Sequence, residues 1–459
     1  MAVAEGNYRT WAVGVDGMER TTWHRGWRAL AWAGGFVVAL LLMLAWGATT
    51  DPHNDFAQNV WLPARLVLDG SNPYFPARTE VDAALGAYSS HFPIFNSGSQ
   101  YHFIYPMWVA LLTAPFALLP LDLSTALWRA LTLVLLVWAC GSILRAGNRE
   151  LRKYTPAALA AVGLVVLACI FFRANVLNLY LGQFAVIELG LLAGVWGWLA
   201  ASGQGRAGRW PWGDMLAGLG LAVLAVKPQS AGLAVILVGL WAISRRRFAI
   251  PVSAVVSLAA LLLVPLIAYP DSLGDFVRVV VGGQASSQAS YSASVWGVSY
   301  AVLGDGGPWV AVSLVLSLLG VVLLLPRWWR DFKDSSSVVP LSLPLTLCVN
   351  SIISPYMLGY EHVLLLMPAL VLLSGLGLPI KGFESAQAQH TGRKLFRMSI
   401  FVWLLLLPLC VSLLHQSFAR EYPLIIQSAV MLAICWAVRP ADIQRVRINP
   451  ARRMETSQC

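Results

Sequence analysis

The residues in this sequence that could move a proton or hold an anion are few, and they stand at the ends of apolar stretches. Asp55 follows the first such stretch, with Asn54 before it and Phe56 after it. His102 and Tyr105 close the polar segment that Asp55 opens. Arg129, Arg173, Gln183, Lys227, Gln229, Tyr360, Glu361 and His362 lie near later breaks in the apolar pattern. A carboxylate that accepts a hydroxyl's proton turns that hydroxyl into a nucleophile, and cations or N–H groups stabilise a departing phosphate. Asp55 as base, with Arg129, Arg173 or Lys227 facing phosphate and a greasy groove for a lipid tail, meets the minimum for hydroxyl attack on a sugar–phosphate bond at a lipid carrier.

Each of these residues also has a plainer role, and the residue types alone do not choose between the two. Asp55 could cap a helix that begins near Phe56. Arg129 and Arg173 could reach for the membrane interface without any ligand. Lys227-Pro228 could be only a helix end, and His102 and His362 could be structural. Gly182-Gln183 allows close helix approach. Glu188, well inside an apolar segment, needs a partner or a hydrated cavity.

The elements that must position these groups are membrane helices. Charged residues make up 12% of the 459 and hydrophobic ones 58%, with a mean hydropathy of +0.67. Soluble chains carry about 25% charge, so the composition excludes an ordinary soluble domain and indicates a polytopic integral membrane protein, all-α. The 20 Trp suit the water–lipid boundary. A formal charge of +10 would suggest nucleic acid in a soluble protein. In a membrane protein the excess collects in cytoplasmic loops, so no nucleic-acid partner is expected. Cys140, Cys169, Cys348, Cys410 and Cys435 fall in apolar segments and Cys459 is the last residue. That pattern offers neither a disulfide framework nor a metal-site spacing, and no metal or cofactor is expected.

Residues 1–28 read as a cytoplasmic segment, and the apolar run 29–48 is longer than the roughly 7–15 residues of a signal-peptide core, which marks a retained first span. Twelve more apolar segments follow, among them 105–120, 156–172, 183–200, 213–226 and 229–243. Thirteen crossings would scatter the basic loops over both faces. With 105–120, which holds Pro106, Pro115 and Pro120, re-entrant or lying at the membrane surface, 25 of the 32 Lys and Arg fall on one side. That asymmetry marks the cytoplasmic face. The expected architecture is a bundle of about 12 transmembrane helices over 29–438, both termini cytoplasmic, a long first extracytoplasmic loop with juxtamembrane helices at 49–123, and a basic tail at 439–459.

Taken in order, the motifs resemble glycosyltransferase family 87 of the GT-C superfamily, whose best-known members are bacterial polyprenol-phosphate-mannose-dependent mannosyltransferases. The matching elements begin with Asp55-Phe56, Gly70-Ser71-Asn72-Pro73-Tyr74 and Tyr105-Pro106, with Met107 where a second proline usually stands. Pro115-Phe116-Ala117, Leu119-Pro120, Leu181-Gly182-Gln183 and Val226-Lys227-Pro228-Gln229 continue the series. Ser354-Pro355-Tyr356 and Tyr360-Glu361-His362 end it. The resemblance implies an inverting, metal-independent transferase in the bacterial cytoplasmic (inner) membrane with Asp55 as catalytic base on the extracytoplasmic face. Its donor would be a polyprenyl-phosphate-linked hexose, mannose first. Its acceptor would be a glycolipid or cell-envelope glycan, with membrane lipid around both. The competing expectation is a transporter or lipid flippase using the same groove, with Glu188 and Lys227 as coupling groups.

Overall fold

The computed structural model describes residues 33–46, 55–86, 88, 103–147, 156–202, 211–280, 291–305, 307–335, 337–375, 403 and 424–437. Among these residues every regular element is a helix. Helix α1 spans Ala33–Trp46. The first loop then forms a π-helical turn, Ala57–Trp61, that runs into α2, Leu62–Leu68, and later α3, Arg78–Leu85. Next come α4 (Met107–Ala117), α5 (Leu121–Gly147), α6 (Pro156–Ile170), α7 (Arg173–Leu181) and α8 (Ala185–Ser202). The second half holds α9 (Pro211–Val223), α10 (Pro228–Ser244), α11 (Ala249–Ala268), α12 (Ser272–Val279), α13 (Val295–Leu303) and α14 (Pro308–Lys333). It closes with α15 (Leu343–Ile353), a 3-10 turn Gly359–Leu365 that continues as α16 (Leu366–Gly375), and α17 (Ile425–Ala437).

Four described helices are long and apolar enough to cross a membrane: α5, α8, α11 and α14. The α6–α7 pair would make a fifth, bent by 59° at its break. The sequence pattern suggested about twelve crossings. Several of those apolar segments are interrupted, and others lie partly outside the described residues. Lys227-Pro228 separates α9 from α10, and Ser354-Pro355 separates α15 from the 3-10 turn; proline cannot supply the N–H that would carry a helix through. The pattern also took the residues after 172 for a connection, and the chain instead forms α7 there. Helix α4 has 11 residues, Pro115 among them. At about 1.5 Å per residue it reaches roughly half of a 30 Å hydrocarbon core, too short to cross.

Within the most apolar window of each long helix, 56% and 67% of residues are buried in α5 and α8, against 11% and 17% in α11 and α14. The first two therefore form the centre of the bundle, and the last two present apolar faces outward. Helices α9 and α11 pack tightly at Gly218, where a Cβ would lie 2.3 Å from the Ile250 carbonyl oxygen; only a residue without a side chain permits that approach.

Among the described residues the buried apolar side chains gather in two large groups, beside a small contact of Ala293 with Leu424. One fills the bundle between α5, α8, α10, α15 and α16. The other joins the first loop to α4, and includes Phe56, Trp61, Tyr74, Tyr105 and Trp108 together with Phe184 and Val226. The first loop is fastened by polar bonds as well. Asn72 Nδ2 donates to Asp275 on α12 at 2.8 Å, and Tyr74 OH donates to the Tyr105 carbonyl at 2.9 Å. Trp61 Nε1 donates to the Leu119 carbonyl at 3.0 Å. The Gly70–Tyr74 motif thus acts as scaffold, holding the loop against Tyr105. The two groups meet at Phe184 and Val226, the neighbours of Gln183 and Lys227.

Candidate active site

Three breaks between helices face the first loop, with its Asp55 and Tyr105, at this junction. The first lies between α7 and α8. Gly182 ends α7 with φ +72° in the left-handed region, and its N–H donates to the Asn178 carbonyl at 2.8 Å. A Cβ there would stand 2.4 Å from Cβ of Phe56, so glycine is required twice: for the backbone conformation and for contact with the residue after Asp55. Trp128 Nε1 fixes the Gly182 carbonyl at 2.9 Å and its ring packs on Phe56, 5.4 Å between centroids. Gln183 is thereby aimed at Asp55.

The second break is Lys227-Pro228. Lys227 is non-helical (φ −135°, ψ 78°), and Pro228 begins α10, a position where its missing N–H costs nothing. Asn350 on α15 clamps the start of α10, donating to the carbonyls of Gln229 and Ser230 at 2.9 and 2.7 Å. The third break is the turn before α16. Glu361 Oε2 accepts from the Leu358 N–H at 2.9 Å, and the Tyr360 carbonyl accepts from Asn178 at 2.6 Å.

The side chains then form one chain of contacts. Lys227, 2% exposed, donates to Gln183 Oε1 at 2.8 Å, to Glu361 Oε1 at 3.2 Å and to Tyr360 OH at 3.5 Å. Those three bonds account for all three ammonium hydrogens. Its charge also lies over the Tyr360 ring at 4.6 Å and the Tyr105 ring at 5.7 Å. Tyr105 OH makes a longer bond to the same Gln183 oxygen, 3.4 Å. With donors on that side, the amide has one sense: Nε2 faces away and donates to Asp55 Oδ2 at 2.5 Å. Asp55 is half-buried, and its Oδ1 has no hydrogen bond among the described residues. The carboxylate does not cap its own helix among those residues; it bonds across the fold. Burial raises its pKa from the ordinary aspartate value, and the Gln183 amide and the Lys227 charge oppose that rise without cancelling it.

Of the residues singled out from the sequence, the structure gathers Asp55, Tyr105, Gln183, Lys227, Tyr360 and Glu361. Arg129, 1% exposed, donates to the Tyr180 carbonyl at 2.9 Å and lies over the Trp46 ring. Arg173 is half-buried at the first residue of α7. Gln229 contributes its carbonyl to the Asn350 clamp. His362 points elsewhere, with Nδ1 3.3 Å from Gln427 Oε1 and Nε2 3.5 Å from Ser428 Oγ on α17. Asn54 and His102 lie outside the described residues. Asn178 reads from the sequence as one of the polar groups of its connection, but sequence reasoning passed over Asn350, the amide that clamps the start of α10. Its signal was present: an amide in an apolar helix needs a partner on a neighbouring helix.

A helical bundle with several apolar helices, built around a half-buried carboxylate and an ion pair at broken helices, is the architecture of a membrane protein with a polar centre. The model of glycosyltransferase family 87 matches residues 103–355, more than half of the chain, and the chain belongs to that family. It is a membrane glycosyltransferase, acting on a sugar donor and an acceptor. The matched stretch contains Tyr105, Gln183 and Lys227, while Asp55 precedes it and Tyr360 and Glu361 follow it. No curated protein matches the chain.

Proposed function

We propose that the protein moves a hexosyl unit, mannosyl before others, from a polyprenyl-phosphate sugar to a glycolipid or cell-envelope glycan, with Asp55 as general base. The observation that carries this reading is the state of the Asp55 carboxylate: one oxygen is anchored by Gln183 and the other has no hydrogen bond among the described residues. A base needs an oriented oxygen within reach of the acceptor hydroxyl. Asp55 takes the hydroxyl proton while the hydroxyl oxygen bonds to the anomeric carbon. The bond from that carbon to the phosphate oxygen breaks on the opposite face, and its electron pair leaves with the lipid phosphate. Configuration inverts.

Lys227 has its hydrogens engaged, so it acts through Gln183 in this scheme, and Arg129 and Arg173 are assigned the departing phosphate. Tyr105, Tyr360, Glu361 and Gln229 complete the binding wall, with Asn54, His102 and His362 as outlying members. The setting we propose is that of the charge pattern: about twelve spans over 29–438, both termini cytoplasmic, the 49–123 loop and short α4 on the extracytoplasmic face of a bacterial inner membrane. No soluble nucleotide sugar is expected there, which favours a lipid-linked donor. Membership of a glycosyltransferase family weighs against the transporter reading.

A donor panel tests this. Purified protein in lipid nanodiscs is expected to transfer labelled sugar from synthetic polyprenyl-phosphate-mannose and not from nucleotide sugars; the reverse preference overturns the donor assignment.

A further inference from the structure

Glu188 is a fully buried acid that this mechanism leaves unused. It lies in the first turn of α8, fully buried, inside a helix long and apolar enough to cross a membrane. Its Oε2 is 2.7 Å from Ser230 Oγ, and the same hydroxyl is 2.8 Å from the main-chain oxygen of Lys227. Its Oε1 is buried without a hydrogen-bond partner among the described residues.

Both oxygen–oxygen separations are hydrogen-bond distances, and each contact needs its own hydrogen. The Lys227 carbonyl has none to give, and the serine hydroxyl has one. If Ser230 donated to an ionised Glu188, its oxygen would face the Lys227 carbonyl with no hydrogen between them. If Glu188 carries a proton, both contacts are satisfied in one direction: acid to hydroxyl, hydroxyl to carbonyl.

We propose that Glu188 is a neutral carboxylic acid that donates to Ser230, and that this chain of hydrogen bonds positions Lys227 for its contact with Gln183. Two further observations agree with it. A fully buried ionised carboxylate with one oxygen unpartnered is costly, whereas a neutral carbonyl oxygen in that place costs far less. The facing charged groups are Lys227, from the start of α10, and Glu361, from the turn before α16, and these already pair with each other at 3.2 Å. A second carboxylate charge would have no cation of its own in this cluster. Glu188 is thus a positioning residue: it acts through Ser230 on Lys227, whose non-helical backbone precedes the first residue of α10. Its effect on turnover rests on the reading of Asp55 and Lys227 above; its protonation does not.

The test uses full-length protein in nanodiscs. At neutral pH the infrared spectrum is expected to contain a protonated-acid carbonyl band that is absent from Glu188→Gln. Glu188→Gln keeps near-normal turnover and an unshifted pH profile, because its amide N–H replaces the acid O–H. Glu188→Ala loses turnover by about tenfold or more, in kcat rather than KM. No band difference between wild type and Glu188→Gln overturns the proposal, whether or not sugar is transferred. Loss of turnover in Glu188→Gln matching that in Glu188→Ala overturns the positioning role. Absence of transfer by the wild type from polyprenyl-phosphate-mannose counts against the proposed donor alone, and the infrared comparison still decides the state of Glu188.

Discussion

Gln183 Nε2 donates to Asp55 Oδ2 at 2.5 Å, joining positions 128 residues apart in the chain. The other end of the same amide accepts from Lys227 at 2.8 Å. One neutral side chain therefore separates the carboxylate from the ammonium. Were the two in direct contact, Asp55 would be held strongly as an anion and would be a poor base. Through Gln183 it is oriented, and it keeps the raised pKa that its burial causes.

The first consequence concerns Gln183 itself. Gln183→Leu removes the donor that orients Asp55 and leaves Lys227 with a lost acceptor. Misplacing a reacting group by about 1 Å costs on the order of 10²-fold, and a loss of that size in kcat is expected with the protein still folded. The measurement is turnover beside a thermal-unfolding midpoint; unchanged kcat would remove Gln183 from the site.

Acid pH should switch the enzyme off earlier than an ordinary aspartate would. The base works only when deprotonated, so activity falls as pH drops through the Asp55 pKa. Burial lifts that pKa above the ordinary value, and the acidic limb of kcat/KM moves up with it. The Gln183 hydrogen bond lowers the pKa, so Gln183→Leu should move the limb higher still. Residual activity in that variant, followed against pH, checks the sign: a limb displaced downward contradicts the assignment.

The Lys227–Glu361 pair is buried on both sides, 2% and 0% exposed. Removing one partner strands a buried charge and costs about 3–5 kcal/mol. Lys227→Met and Glu361→Gln should each be strongly destabilising, and the double variant should be less so than their sum. A double-mutant cycle on unfolding midpoints reads that coupling directly. Additive effects would mean that the pair does not form.

Gly182→Ala should be damaging for a backbone reason. It forces a side chain into a φ of +72° and a Cβ to within 2.4 Å of Phe56. A cost of about 1–3 kcal/mol is expected from the strained conformation, together with displacement of Phe56 and so of Asp55. Turnover should fall more than stability does, because Asp55 is the next residue along.

The sequence made the all-helical membrane class legible through composition, and it singled out Asp55, Gln183, Lys227 and Glu361 as polar groups at the ends of apolar runs. What it could not state was pairing. That Gln183 reaches Asp55 depends on the left-handed turn at Gly182 and its fit against Phe56, a contact between segments far apart in sequence. His362 directly follows Glu361 yet faces α17, since adjacent residues on a helical turn point in different directions. Glu188 read as a residue that must have a partner, and Ser230 is that partner. The α6–α7 bend was hidden because Arg173–Leu181 is mixed in polarity and lacks the periodicity that marks a buried helix. Polar residues in that stretch read as loop; Asn175 and Asn178 are instead turned inward, where backbone carbonyls receive them.

The central claim is that Asp55 is the base. The direct measurement is transfer of labelled mannose from synthetic polyprenyl-phosphate-mannose by purified wild type and Asp55→Asn in the same nanodiscs. The carboxamide keeps the shape and a hydrogen-bonding oxygen for Gln183 but cannot take a proton. The account predicts a fall in kcat of about 10²–10⁴-fold with little change in the unfolding midpoint; undiminished turnover by Asp55→Asn would contradict it.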